Sequence, residues 1–152
     1  MADVYTLRTD GGARGNPGPG GAGFVLEDPS GAVVRSGGRF LGCVTNNVAE
    51  YEALIWGLET ALDEKVSTLR ICADSELVVR QMNGQYKVKN KGLKPLHHKA
   101  RSLVGRFSSA EITHVRRDQN AAADDLANQA MDIRSTCGNG VDTGAEGQSA
   151  LF

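Results

Sequence analysis

Thr45-Asn46-Asn47-Val48-Ala49-Glu50-Tyr51-Glu52-Ala53-Leu54 is where the pattern of the chain turns over. From here Tyr51, Leu54, Ile55, Leu58, Ala61 and Leu62 recur at i, i+3, i+4, i+7, i+10 and i+11, one face of a helix that Asn46 or Asn47 is placed to cap. Upstream the signals are those of strands. Residues 4–9, 23–27 and 32–41 read as three β segments, joined by the glycine and proline turn 10–21 and the turn 28–31. Connections this short suggest an antiparallel meander.

Downstream, Thr68 to Ala73 reads as a fourth strand ending at Asp74, and Ser75 is placed to cap a short helix over 76–83. Leu96, Ala100, Leu103, Val104 and Phe107 keep helical spacing over 93–107, and 112–115 reads as a fifth strand. Asn120 opens a last helix that turns Ala123, Leu126, Ala127 and Ala130 inward. The order βββαβααβα predicts an α/β domain with a five-stranded mixed sheet flanked by helices.

With 152 residues, 40% hydrophobic and 23% charged, the chain is one domain's worth of ordinary globular composition. Its expected span is 1–133, followed by a Gly-rich tail, 134–152, whose apolar end, Leu151 and Phe152, offers a means of docking on the body. No apolar run approaches the roughly 20 residues that span a bilayer. The start has no basic region followed by an apolar stretch, so the expected location is cytoplasmic. Cys43, Cys72 and Cys137 have no Cys-x-x-Cys spacing, which argues against a disulfide framework and a structural zinc site.

The net charge of −1 hides a polarity. Between Arg80 and Arg117 lie ten of the 17 basic residues and one acid, Glu111, a net +9; the remainder of the chain is −10. A solvated helix face explains most charge runs, but one acid in so long a stretch points to a phosphate-binding surface. Gly18-Pro-Gly20-Gly-Ala-Gly23 matches a dinucleotide fingerprint only formally, because a strand and not a helix follows it.

The acids carry more. Asp10 and Asp74 each end a predicted strand, and parallel pairing of those strands would bring them together beyond the carboxyl ends of the sheet. Glu50 and Asp124 are expected in the first turns of the helices that follow the third and fifth strands. Singly, each acid reads as solvated or as a helix-dipole contact. Four converging acids repel one another unless cations neutralise them, and an all-oxygen donor set favours magnesium or manganese.

Asp10-Gly11-Gly12, Gly15 to Gly21, Thr45 to Leu54, Ala73-Asp74-Ser75 and Asn120 to Ala127 together resemble the ribonuclease H, type 1 family over about residues 3–132. The stretch 86–96 is similar to the shorter bacterial and archaeal members, without the basic helical protrusion of longer ones. The resemblance implies the ribonuclease H fold and endonucleolytic cleavage of the RNA strand of an RNA/DNA hybrid, leaving 5′-phosphate and 3′-hydroxyl ends. It implies two magnesium ions, with manganese as a substitute, held by Asp10, Glu50, Asp74 and Asp124. By position, Gly11, Gly12, Asn16 and Asn46 match minor-groove contacts, and Thr45 matches a contact to the phosphate of the DNA strand. Lys87, Lys89 and Lys91 are expected to add affinity for the hybrid. Glu76 stands where the family often has a neutral polar or apolar residue.

The family's mobile histidine before the last helix is absent from Arg116-Arg117-Asp118-Gln119, and Arg117 is the nearest candidate for its place among the catalytic residues. His97 and His98 are expected to be solvated, His114 to be structural, and Trp56 to lie in the core. No protein partner is inferable, and a monomer is expected.

Overall fold

The structure, a computed structural model, describes residues 3–137. Strands β1 (Val4–Ala13), β2 (Gly18–Glu27) and β3 (Val33–Val44) lead into helix α1 (Asn46–Asp63). Then come β4 (Thr68–Ala73), α2 (Glu76–Met82), α3 (Lys94–Val104), β5 (Ser109–His114), a 3-10 turn (Arg117–Asn120) and α4 (Ala121–Ile133). The sheet order is β3-β2-β1-β4-β5. β1 pairs antiparallel with β2, and β2 with β3, whereas β1–β4 and β4–β5 are parallel. Hairpin connections make the antiparallel half and helical crossovers the parallel half, as the element order predicts.

Alternation along β2 shows how the layers form. Ala22, Phe24 and Leu26 enter the core beneath α1, where the Phe24 ring meets Trp56 edge-on at 4.7 Å between centroids. Gly21 and Gly23 face the opposite side, under α4. A Cβ on Gly21, Gly23 or Gly38 would come within 3.0 Å of the carbonyl oxygens of Ala127, Ala123 and Leu126. The helix meets this bare surface with the buried alanines 123, 127 and 130, and Leu126 lies half-buried beside them. The two backbones therefore touch almost directly.

This corrects the reading of 10–21 as a long turn. β1 runs on to Ala13 and β2 starts at Gly18, which leaves 14–17 as the connection. Within the stretch only Gly15 has a positive φ, +99°. Gly11 and Gly21 are there for helix contact, against the backbones of α1 and α4, whereas Gly15 and Gly18 serve the turn. β3 likewise runs past Leu41 to Val44, and α3 stops at Val104, three residues short of the buried Phe107.

Beyond α4 the chain returns to the outer edge of β3. Cys137 and Gly38 exchange N–H···O=C bonds of 2.7 Å in both directions. The docking expected of Leu151 and Phe152 lies outside the described residues.

Gly23→Ala forces a methyl group against the backbone of α4, and overpacking of this kind costs about 1–3 kcal/mol. We expect urea unfolding to show a loss in that range with an unchanged m-value.

Candidate active site

β1 and β4 run side by side through the pairs Val4↔Thr68 to Thr9↔Ala73 and then part. Past Thr9, β1 stays paired with β2 alone, as far as Ala13. Asp10 and Asp74 stand at the mouth of this split. The Asn120 side chain, fully buried, closes its base: its Nδ2 donates to Thr9 O at 2.8 Å and to Cys72 O at 3.4 Å. Those two carbonyl acceptors fix which end of the amide points at the strands.

Glu50 enters from α1, whose backbone can approach because position 11 has no side chain. A Cβ on Gly11 would collide with the carbonyl of Ala49. Gly11 N–H donates to Glu50 Oε1 at 3.1 Å. The helix begins at Asn46, so Glu50 sits in its second turn rather than its first; Thr45 is the cap, its hydroxyl accepting from Val48 N–H at 3.3 Å. The strand hydrogen bond, not the helix terminus, orients this carboxylate.

Carboxylate oxygens of Asp10, Glu50 and Asp74 lie within 4.8 Å of one another. Asp124, in the first turn of α4, hydrogen-bonds to Asp10. The four predicted acids thus converge, from β1, α1, the end of β4 and α4. Burial is the largest influence raising the Asp10 carboxyl far above the usual range, followed by the Asp124 bond and the charges of Glu50, Asp74 and Asp124. Burial, with the charge of Asp74, pushes Glu50 up to about 8, against the opposing pull of Gly11 N–H and Arg117. Asp74 Oδ2 is buried without a hydrogen-bond donor; the Arg117 Nε is 3.7 Å away, an ion pair too long for a hydrogen bond. An all-oxygen set, mutually repelling and holding an orphaned carboxylate oxygen, fits hard divalent cations.

A cleft of about 230 Å³ opens from the cluster, lined by Asp10, Gly11, Gly12, Asn46, Arg117 and Asp124 among others. On its rim Asn16 Oδ1 accepts from Asn46 N–H at 3.0 Å, and Asn46 Oδ1 accepts from Ala13 N–H at 3.2 Å. Asn46 is therefore the first residue of α1 and a brace for β1, not its cap. Both carbonyl oxygens are committed, and neither amide NH2 donates to a group among the described residues.

The basic stretch is more dispersed than its sequence suggests. Lys87, Lys89 and Lys91 are exposed on the connection between α2 and α3 and line neither the cluster nor the cleft. Glu76 Oε2 pairs with Arg80 Nε at 2.8 Å, which offsets its charge. His97, expected in solvent, is half-buried instead, its Nε2 3.1 Å from Gln81 O; His98 and His114 are exposed. Sequence reasoning recognised Asn120 only as a helix start. Its spacing of four residues before Asp124 is the signal of a residue that faces the same way as a site acid.

The arrangement defines a class first: a mixed sheet that splits over a carboxylate cluster, the ribonuclease H fold. A family model described as reverse transcriptase-like matches residues 8–130. Ribonuclease HI of Halobacterium salinarum is 43% identical over 123 residues, 81% of this chain and 62% of that protein. The crystal structure of RNase H1 from that archaeon superposes with a TM-score of 0.83, at 41% identity, and the match covers 86% of this chain and 98% of that one. A bifunctional protein of Mycobacterium tuberculosis is 43% identical over 128 residues, 83% of this chain and 35% of that protein. LC11-RNase H1, isolated from compost, solved in complex with an RNA/DNA hybrid, matches with a TM-score of 0.80 at 41% identity, covering 86% of this chain and 98% of that one. The chain thus spans 62% and 35% of the halobacterial and mycobacterial proteins. It belongs to the ribonuclease H, type 1 family.

The raised carboxyls set a pH dependence. Folded Glu50 holds its proton up to about 8, whereas the unfolded chain loses it near 4.5, so over that window the unfolded state binds fewer protons. Stability without divalent cations is therefore expected to fall as pH rises from about 4.5 to 8. Magnesium should raise Tm more at pH 8 than at pH 5, and Glu50→Gln should flatten both responses. Differential scanning calorimetry checks this; a cation-free Tm that climbs with pH would contradict the assignment.

Proposed function

We propose that this protein is an endoribonuclease that cleaves the RNA strand of RNA/DNA hybrids, leaving 5′-phosphate and 3′-hydroxyl ends. The observation that carries the reading is the convergence of Asp10, Glu50 and Asp74 within 4.8 Å, with Asp124 bonded to Asp10. A relative with 41% identity that was solved on a hybrid supports the substrate class. A hybrid-binding module without catalysis would not need all four acids.

Asp10, Glu50, Asp74 and Asp124 would hold two magnesium ions, for which manganese could substitute. Bound there, the ions would activate a water and stabilise the leaving 3′-oxygen. The cluster has no side-chain nucleophile, and the chemistry needs none.

The chain's own residues do the selecting. Asn16 holds the Asn46 backbone and Asn46 holds Ala13, each through its carbonyl oxygen, which leaves their amide N–H groups as donors at the cleft rim. Donors of this kind suit the minor groove, where the 2′-hydroxyl distinguishes RNA from DNA. Backbone groups of Gly11 and Gly12, which line the cleft, would add minor-groove contacts, and Thr45, the cap of α1, would contact a phosphate of the DNA strand. Lys87, Lys89 and Lys91 would add phosphate contacts away from the chemistry. Arg117, 80% exposed and 3.7 Å from Asp74, would offset phosphate charge and aid product departure, a role for a charged donor and not for a base.

Cleavage of a labelled hybrid, with and without EDTA, tests the reading directly. Asp10→Asn should abolish cleavage while hybrid binding is retained or tightened. Asp124→Ala should lose activity by orders of magnitude, whereas Asp125→Ala, exposed and turned by about 100° on the helix, should keep most of it. The reverse ranking would show that the wrong acid has been assigned.

Arg117→Ala should lower kcat about tenfold or more with little change in KM, and Arg117→Lys should recover part of the loss. Steady-state kinetics distinguish this from a merely surface arginine, whose removal would leave kcat intact.

A further inference from the structure

The cleft beside the carboxylates has a second arginine. Arg14 stands in the connection between β1 and β2, where its backbone N–H closes the hairpin onto Pro19 O at 2.8 Å. Its side chain crosses to α4. Nη1 meets Asp132 Oδ1 at 2.7 Å, and Nη2 lies 3.4 Å from both the carbonyl and the side-chain oxygen of Asn128. Asp124, Asn128 and Asp132 are spaced i, i+4 and i+8, so they form one row along the helix. That row starts at the carboxylate cluster and ends at Arg14, with about 12 Å of helix between the first acid and the last.

The Arg14–Asp132 pair is exposed, with side chains 48% and 63% accessible. A pair this open contributes little to stability. Both Asn128 contacts are long. The guanidinium has five donors and the tether occupies few of them. The contacts aim the group along the wall of the cleft, whose lining includes Arg14, Arg117 and Asp124. An arginine spread along a cleft that starts at a phosphodiester-cleaving cluster has the geometry to take a phosphate in two parallel hydrogen bonds.

We propose that Arg14 binds a backbone phosphate of the cleaved strand, one or two nucleotides from the scissile position, and that Asp132 pre-positions it. Arg14 is thus a substrate-binding residue on the α4 side of the cleft, separate from the basic stretch 80–117. The inference rests on the hybrid-nuclease reading above.

Steady-state kinetics on a labelled hybrid across a range of salt concentrations, with wild type, Arg14→Ala and Asp132→Asn, test it. Cleavage by the wild type tests the underlying reading, and failure there is distinct from failure of this proposal. Arg14→Ala is expected to raise KM about fivefold to tenfold with kcat within twofold. It should also reduce the slope of log KM against log salt by about 0.7–0.9, the value of one phosphate contact. Asp132→Asn breaks the same ion pair but keeps the arginine, so KM should stay within twofold and the salt slope should be unchanged. Anisotropy with the same hybrid on the Asp10→Asn background, in calcium, should rank affinities the same way. If Arg14→Ala and Asp132→Asn behave alike, the arginine is only a tether for the turn and the proposal fails. It fails equally if Arg14→Ala leaves KM and the salt slope unchanged while the wild type cleaves.

Discussion

One side-chain amide holds the split that makes the site. Asn120 is fully buried and donates to backbone carbonyls of both β1 and β4, one residue before Asp10 and two before Asp74. Two parallel strands that part leave their last carbonyls without ladder partners, and a buried carbonyl without a donor is costly. The amide fills that need and, as the residue at the head of α4, locates Asp124 one turn further on. Three of the four acids are thereby referred to a single buried group, and the fourth, Glu50, is referred to β1 through Gly11 N–H.

The cluster so built is electrostatically unfavourable on its own. Burial and mutual repulsion keep protons on Asp10 and Glu50 well above the ordinary carboxylate range. The framework that tolerates this is the dense packing around it: Leu7, Phe24, Tyr51, Leu54 and Ile71 are almost completely buried on the α1 side, and the alanines of α4 lie against glycines on the other. Two arginines stand beside the acids, Arg117 next to Asp74 and Arg14 along the cleft. Opposite charges thus occupy neighbouring walls of one cleft.

The order of elements, the mixed sheet and the four acids were legible in the sequence, because strand ends, helix caps and carboxylates each leave a local mark. Contacts between elements leave none. Gly11 and Gly21 read as turn residues because nothing local tells a glycine that turns from one that makes room for a helix. Asn46 looked like a cap, and only the fold shows its carbonyl bracing Ala13 while Thr45 does the capping. Glu50 was expected one turn too early for the same reason. His97 read as solvated because its partner, the Gln81 carbonyl, lies on a different helix. Arg14 was silent, since its meaning depends on a helix more than a hundred residues away.

The glycine floor under α4 also constrains how this sequence can drift. Gly21, Gly23 and Gly38 each lie against helix backbone, so no side chain can be admitted on the sheet until the helix lifts, and the helix cannot lift without carrying Asp124 away from Asp10. Change on this seam would have to arrive on both partners at once. A single substitution there would disturb packing and Asp124 together, whereas in the opposite layer a methylene gained by one side chain can be given up by its neighbour.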